Sequence, residues 1–230
     1  MNFNEHSNLK ESHALFSPSQ SAWLRYDPEQ IEEKVFTQFR APLGTEIHEF
    51  SAIMIKLGQK VGSIRELKKD IVKEIYTKYF NMDRTKESAM PYGIKLINYL
   101  DYLPDDVYET VKVYINDAIG FKMTPEQVLY YSDEIYGTTD AISFRDNYLR
   151  IHDLKTGARP AHMEQLQIYA ALFCLEYKMK PRDIQIELRL YQDAENILVF
   201  KPTVEDIVPV MDQIITVGKI ASKIKSKQEV

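Results

Sequence analysis

Cysteine is almost absent from this chain. Cys174 is the one cysteine in 230 residues, which excludes a disulfide framework within the chain and any zinc or iron–sulfur centre built from several cysteines. No run of 18 or more apolar residues occurs, so no membrane-spanning helix is expected. Met1 to Phe16 is polar and has no apolar signal core, so no export is expected and a cytoplasmic setting fits. There is no internal repeat and no low-complexity tract. A phosphate-binding loop of the G-x-x-x-x-G-K-[ST] type is missing too, so neither a nucleotide cofactor nor an ATPase is expected.

What is present describes a folded, well-solvated protein. Apolar residues make up 44% and charged residues 27%, enough for a sizeable core, and the length suits one domain over 1–230. The net charge of −5 has the wrong sign for an ordinary nucleic-acid binder. A site that gathers carboxylates around bound cations reverses its own local field, however, so a polyanionic partner stays open. Basic residues cluster at Lys68, Lys69 and Lys73 and again at Lys219, Lys223, Lys225 and Lys227. A solvated helix face or tail is the first reading of each cluster.

The pattern of periodicities changes near the middle. Ser17-Pro18-Ser19 predicts a cap for a helix over Gln20–Tyr26, broken at Asp27-Pro28. Gly44-Thr45 precedes a predicted helix over Glu46–Leu57 that Gly58 ends. Ser63 and Glu66 form a capping-box pattern for a helix to about Phe80. Helical patterns follow over Tyr92–Leu103 and Asp105–Ile119. From about Gln127 strand formers take over: Gln127–Tyr136, Thr138–Phe144 and Tyr148–Leu154 read as strands, the last two joined by Asp146-Asn147. Ala161–Tyr177 reads as a helix, Asp183–Tyr191 and Ile197–Phe200 as a second hairpin. A last helix begins between Thr203 and Pro209 and runs to about Lys223. The second half is therefore β-β-β-α-β-β-α behind a helical first half, an α+β fold with a small mixed sheet flanked by helices. The helical segment of about 60–120 reads as an insertion in it.

The hairpin at Asp146-Asn147 carries the chemistry. With those two residues as the loop, paired positions sum to 293: Phe144 faces Leu149, Ile142 faces Ile151, and Asp140 faces Asp153. Alternation puts the four apolar residues on one face, the core-facing one. The same face ends in two opposed aspartates, whose Cβ atoms would lie about 4.5–5.5 Å apart and whose charges repel. A divalent cation compensates such a pair, since Mg²⁺ takes one or two carboxylates plus waters. Lys155 lies two residues past Asp153 on that face and can act on a water or a phosphate. The Leu154 carbonyl can add an oxygen while its side chain enters the opposite layer. The bland alternative is a frayed, exposed hairpin end, and a one-residue register slip would remove the argument.

These residues resemble a known family. Gly137-Thr138-Thr139-Asp140, then Ile151-His152-Asp153-Leu154-Lys155-Thr156-Gly157, then Gln165 with Tyr169 are similar to the motifs of RecB-like PD-(D/E)XK nucleases. Upstream, Gly44-Thr45-Glu46-Ile47-His48 is similar to their helix-borne G-T-x-x-H motif. Leu15-Phe16-Ser17-Pro18-Ser19 resembles the opening of small phage-encoded members. The resemblance implies a PD-(D/E)XK restriction-endonuclease-like core. It implies Mg²⁺ or Mn²⁺ held by His48, Asp140, Asp153 and the Leu154 carbonyl, with Lys155 as catalytic lysine. It places Gln165 and Tyr169, four residues apart on one helix face, beside the site. Thr139 stands where proline is the family's namesake. Tyr26-Asp27-Pro28 stands where relatives with an iron–sulfur cluster carry a cysteine, so no iron–sulfur cluster is expected. Glu46, Glu49 and Glu134 are further acids for a second metal; Arg159 and His162 are candidates for phosphate contact.

The activity so implied is hydrolysis of DNA phosphodiesters, as an exonuclease processing ends for recombination beside a single-strand annealing or recombination protein. A homo-oligomer is compatible with this and a membrane is not involved. Two alternatives stand beside it: a structure-specific endonuclease, and a non-catalytic DNA- or protein-binding module on the same fold.

Overall fold

The computed structural model describes residues 14–80, 89–157 and 162–225. A short 3₁₀ helix over Pro18–Arg25 leads into α1 (Pro28–Leu57), followed by α2 (Ile64–Phe80), α3 (Ala89–Leu100) and α4 (Asp105–Gly120). Three strands come next, β1 (Thr124–Ser132), β2 (Ile135–Arg145) and β3 (Tyr148–Leu154), then α5 (Glu164–Glu176), β4 (Gln185–Tyr191), β5 (Leu198–Phe200) and α6 (Val204–Lys225). The sheet has five strands in the order β1-β2-β3-β4-β5. Only β3 and β4 run parallel, because α5 carries the chain from the end of one to the start of the other. The fold is the mixed α+β arrangement that the periodicities predict.

Helices cover both faces of the sheet. On one face α1 to α4 form a core with Ala141, Leu154 and Tyr191. On the other, α5 and α6 pack on Ile142, Leu149, Ile151 and Leu188. α1 to α4 therefore build one of the two layers. Among the described residues no helix is long and apolar enough to cross a membrane.

The hairpin register agrees with the count from the sequence. Ala141 pairs with His152, Ile142 with Ile151, Phe144 with Leu149 and Arg145 with Tyr148. Asp146 and Asn147 both take the left-handed conformation, with φ of 51° and 56°, as a two-residue hairpin loop requires.

Four expectations need correction. The helix holding His48 begins at Pro28, where Asp27 and Gln30 form a full capping box. It continues through Pro42 and Gly44, since burial of Phe36, Leu43, Ile47 and Phe50 along one side offsets the local cost of proline. Gln127–Tyr136 is not one strand: a turn at Asp133-Glu134 divides it between β1 and β2, with Tyr130 Oη donating to Asp133 at 2.9 Å. α3 starts and stops earlier than Tyr92–Leu103, ending at Leu100. The first helix is a 3₁₀ segment rather than Gln20–Tyr26. Ala161, the expected start of α5, lies outside the described residues, and Gly58 does cap α1 with φ 65°.

Candidate active site

The site lies past the end of β3, where the two helical layers meet. α1 approaches from one side and supplies His48; α5 approaches from the other and supplies Gln165 and Tyr169. The sheet contributes Asp140 from β2, and Asp153, Leu154 and then Lys155 from β3 and the residue after it. Glycine permits the two close approaches. A Cβ on Gly44 would sit 3.0 Å from Thr156 Oγ1, and one on Gly137 would sit 2.8 Å from the Tyr169 ring. These are the glycines of two of the motifs read from the sequence.

All seven residues expected at the site are brought together. His48 Nδ1 lies 3.4 Å from Asp140 Oδ2, and the same oxygen accepts from Leu154 N at 2.7 Å. Lys155 Nζ is held between Asp153, 2.9 Å from Oδ2, and Gln165 Oε1, to which it donates at 3.0 Å. Gln165 Nε2 in turn donates to Tyr169 Oη at 3.3 Å. His48, Asp140, Lys155 and Thr156 line a groove of 1010 Å³ along α1, with Arg40 and Lys56 as further cations.

The electrostatics are those of an acid pair only partly offset by Lys155 and His48. Asp153 is 2% exposed. Burial first, then the Asp140 carboxylate, pushes its pKa up to about 6 against the pull of Lys155. Its Oδ2 lies near the ammonium but takes no well-aligned hydrogen bond. Burial pulls the His48 imidazole down, but the Asp140 carboxylate bonded to it and Asp153 beyond outweigh this, and its pKa rises. Among the described residues no three His, Cys, Asp or Glu side chains converge as a ready-made metal cluster; Asp153 is turned to Lys155 and Asp140 to the Leu154 amide.

The other acids divide. Glu46 and Glu49 both accept from Lys78, and Glu46 also from Tyr79 at 2.8 Å, so α1 and α2 are tied by a half-buried ion pair. Glu134 pairs with Lys225 at the β1–β2 turn. His162 is exposed, and Arg159 lies outside the described residues. Two residues that motif reading missed adjoin the site. Glu126 falls between the pairs Pro125–Ala141 and Gln127–Thr139, level with Asp140, and lines the groove with φ of 54°. A positive φ at a non-glycine carries strain and is found where position matters. Tyr191 accepts from Lys155 N through its backbone oxygen at 2.8 Å. Its hydroxyl donates to Asp117 at 2.8 Å and lies 3.2 Å from His152 Nδ1. With that hydroxyl proton given to Asp117, His152 must donate from Nδ1. Its ring is neutral, its pKa lowered to about 3 by burial and by Arg189 and Arg150. Tyr191 thus anchors the residues on both sides of Asp153.

An α+β fold in which an acid, a lysine and a histidine line one groove, with a second acid buried beside them, defines a protein with a candidate functional site. Residues 13–219 match the model of a protein family of unknown function, DUF2800, and the chain belongs to that family. No curated protein and no solved structure matches it.

Proposed function

We propose that this chain is a divalent-cation-dependent DNA nuclease of the RecB-like PD-(D/E)XK kind, hydrolysing phosphodiester bonds in the groove between α1 and the end of β3. The observation that carries this reading is the meeting of His48, Asp140 and Lys155 on one groove, with Asp153 buried behind them and paired with Lys155. A binding module has no use for a buried acid and a half-buried one placed together beside a lysine, because like charges so close cost stability.

The donor set fits Mg²⁺ or Mn²⁺: two acids, one almost fully buried with its pKa raised to about 6 and with an oxygen short of a hydrogen bond. His48, Asp140, Asp153 and the Leu154 carbonyl would hold the ion. When bound, such an ion lowers the pKa of a water and neutralises charge on the scissile phosphate. The protein's own groups do the rest. Lys155, fixed by Asp153 and Gln165, sets a positive charge where a phosphate oxygen gains negative charge. Tyr169 holds Gln165, and so orients the lysine. Arg40 and Lys56 offer contacts to the strand that read its phosphates rather than its sequence.

Incubation of linear and closed circular DNA with Mg²⁺, Mn²⁺ or EDTA tests this. Wild type is expected to degrade DNA with either cation, and EDTA, Asp153→Ala or Lys155→Ala to stop it. Loss of linear DNA alone makes it an exonuclease, suited to processing ends for a recombination partner; cutting of circles makes it an endonuclease. Intact DNA after incubation with folded, cation-loaded wild type would overturn the reading.

A further inference from the structure

Each helical layer carries an exposed surface, and the two surfaces match. The first is a cavity of 780 Å³ between the N-terminal half of α1, the end of α3 and the start of α4. Phe36, Leu43 and Tyr99 give it an apolar, aromatic wall. Ile31 and Tyr102 line it as well, yet remain 40% and 67% exposed. Glu29, Glu32, Glu33 and Asp106 line it against two cations, Arg40 and Lys155, so acids predominate.

The second surface is the last three turns of α6. Ile214 and Gly218 face inward at this end, while Val217, Ile220 and Ile224 remain exposed. Their spacing of three and four residues makes one stripe along the helix. Lys219 and Lys223 run beside it, also four residues apart. An aliphatic stripe bordered by lysines is the complement, in shape class and charge, of an apolar groove bordered by glutamates.

These surfaces cannot meet within one chain. α1, α3 and α4 share the core on one face of the sheet, and α6 packs with α5 on the other. We propose that the last turns of α6 of one copy dock in the α1–α3–α4 cavity of the next, so that the chain assembles head to tail. Such a contact uses two different patches, so each added copy leaves one cavity and one helix open. The assembly closes as a ring or continues as a filament. The cavity shares Lys155 and Thr156 with the candidate site, but the contact is read by mass and stands whether or not that site cleaves DNA.

Sedimentation velocity over a concentration series tests it. Wild type is expected to associate with rising concentration, and less so at high salt, which screens the lysine–glutamate attraction. Ile220→Glu and Tyr102→Glu, both at exposed positions, should each run as monomers with unchanged circular dichroism. Mixed together, they should form a dimer and nothing larger, since one retains the cavity and the other the helix. Glu32→Lys should weaken association at least fivefold, and Lys219→Glu added to it should recover part of the loss. This pair of variants still decides the matter if either bulky substitution disturbs folding. A wild type that stays monomeric at every concentration overturns the proposal. So does association that Ile220→Glu and Tyr102→Glu leave intact, or a mixture of the two that stays monomeric.

Discussion

Two buried acids on neighbouring strands have opposite surroundings. Glu187 on β4 is 5% exposed. It accepts from Tyr148 at 2.9 Å and from Arg189 at 2.9 Å, with Arg150 and Lys201 within 3.6 Å. Burial acts to raise its pKa, but the Tyr148 bond and the two arginines outweigh it, and the net shift is downward. Asp153 on β3 is as deeply buried, yet its nearest charged neighbours include a second carboxylate, and its pKa rises to about 6. One acid is compensated by the fold. The other has one cation of its own, Lys155, set against a second carboxylate, and its raised pKa marks a candidate site rather than a structural ion pair.

The largest expected effect breaks the comparison on the side of activity. Asp153→Ala and Lys155→Ala should each lower the rate of DNA cleavage by about 10³-fold or more, on the order of the loss when a catalytic charge or donor is removed, measured with a labelled linear duplex. The melting temperature should fall little for Asp153→Ala, which removes a buried acid whose pKa the fold raises, and more for Lys155→Ala, which leaves that acid without its cation. Glu187→Ala should do the reverse. It strands Arg150 and Arg189 and should cost about 2–3 kcal/mol of stability. That is somewhat below the range for fully buried pairs, because both arginines keep some exposure. Urea unfolding measures it, and cleavage by the folded fraction should be unchanged.

The pH dependence sharpens the contrast. The folded pKa of Asp153 lies above its unfolded value, so its contribution favours folding below pH 4 and is lost as pH rises through about 6. The folded pKa of Glu187 is depressed, so its contribution is present above the unfolded carboxylate range and is lost as pH falls through the folded pKa. Stability measured from pH 3 to 8 without divalent cation should therefore show Asp153→Asn gaining on wild type above pH 6. Glu187→Gln should lose most of its disadvantage at the acid end. Parallel curves for the two variants would remove the distinction.

A smaller effect is expected where the two networks touch. Tyr191 sits between Asp117, His152 and the Lys155 amide. Tyr191→Phe keeps the ring contact with Tyr114 but drops the hydroxyl. It should cost about 1–2 kcal/mol for the bonds lost and lower kcat about tenfold with KM unchanged. Tyr114→Phe, at the neighbouring ring, should leave kcat alone. The smallest effect belongs to Lys201, 66% exposed beside Glu187: Lys201→Ala should change stability by less than about 0.5 kcal/mol.

The legible parts of this fold were those governed by short-range rules. Asp146-Asn147 sets the hairpin register because a two-residue loop admits few conformations, and that register aligns β2 and β3 so that their aspartates reach the same end of the sheet. Capping pairs such as Ser63 and Glu66 fix helix starts for the same reason; both reciprocal bonds form, at 3.1 and 3.2 Å. What stayed hidden depends on distant partners. Pro42 and Gly44 read locally as a break before a short helix, yet burial against α3 and α4 carries α1 across them. Glu126 acquires meaning only once β1 pairs with β2. Tyr191 does so only once β4 lies beside β3, 36 residues further along the chain from Lys155 in the sense of their numbers, 155 and 191.

The most direct test is one Mg²⁺ titration followed by two signals, melting temperature and cleavage of linear DNA. For wild type both should rise together with a shared midpoint, and Asp153→Asn should show neither response. Wild type that gains no thermal stability from the cation and leaves DNA intact, while remaining folded, would contradict the assignment of Asp140, Asp153 and Lys155 to a metal-dependent nuclease centre.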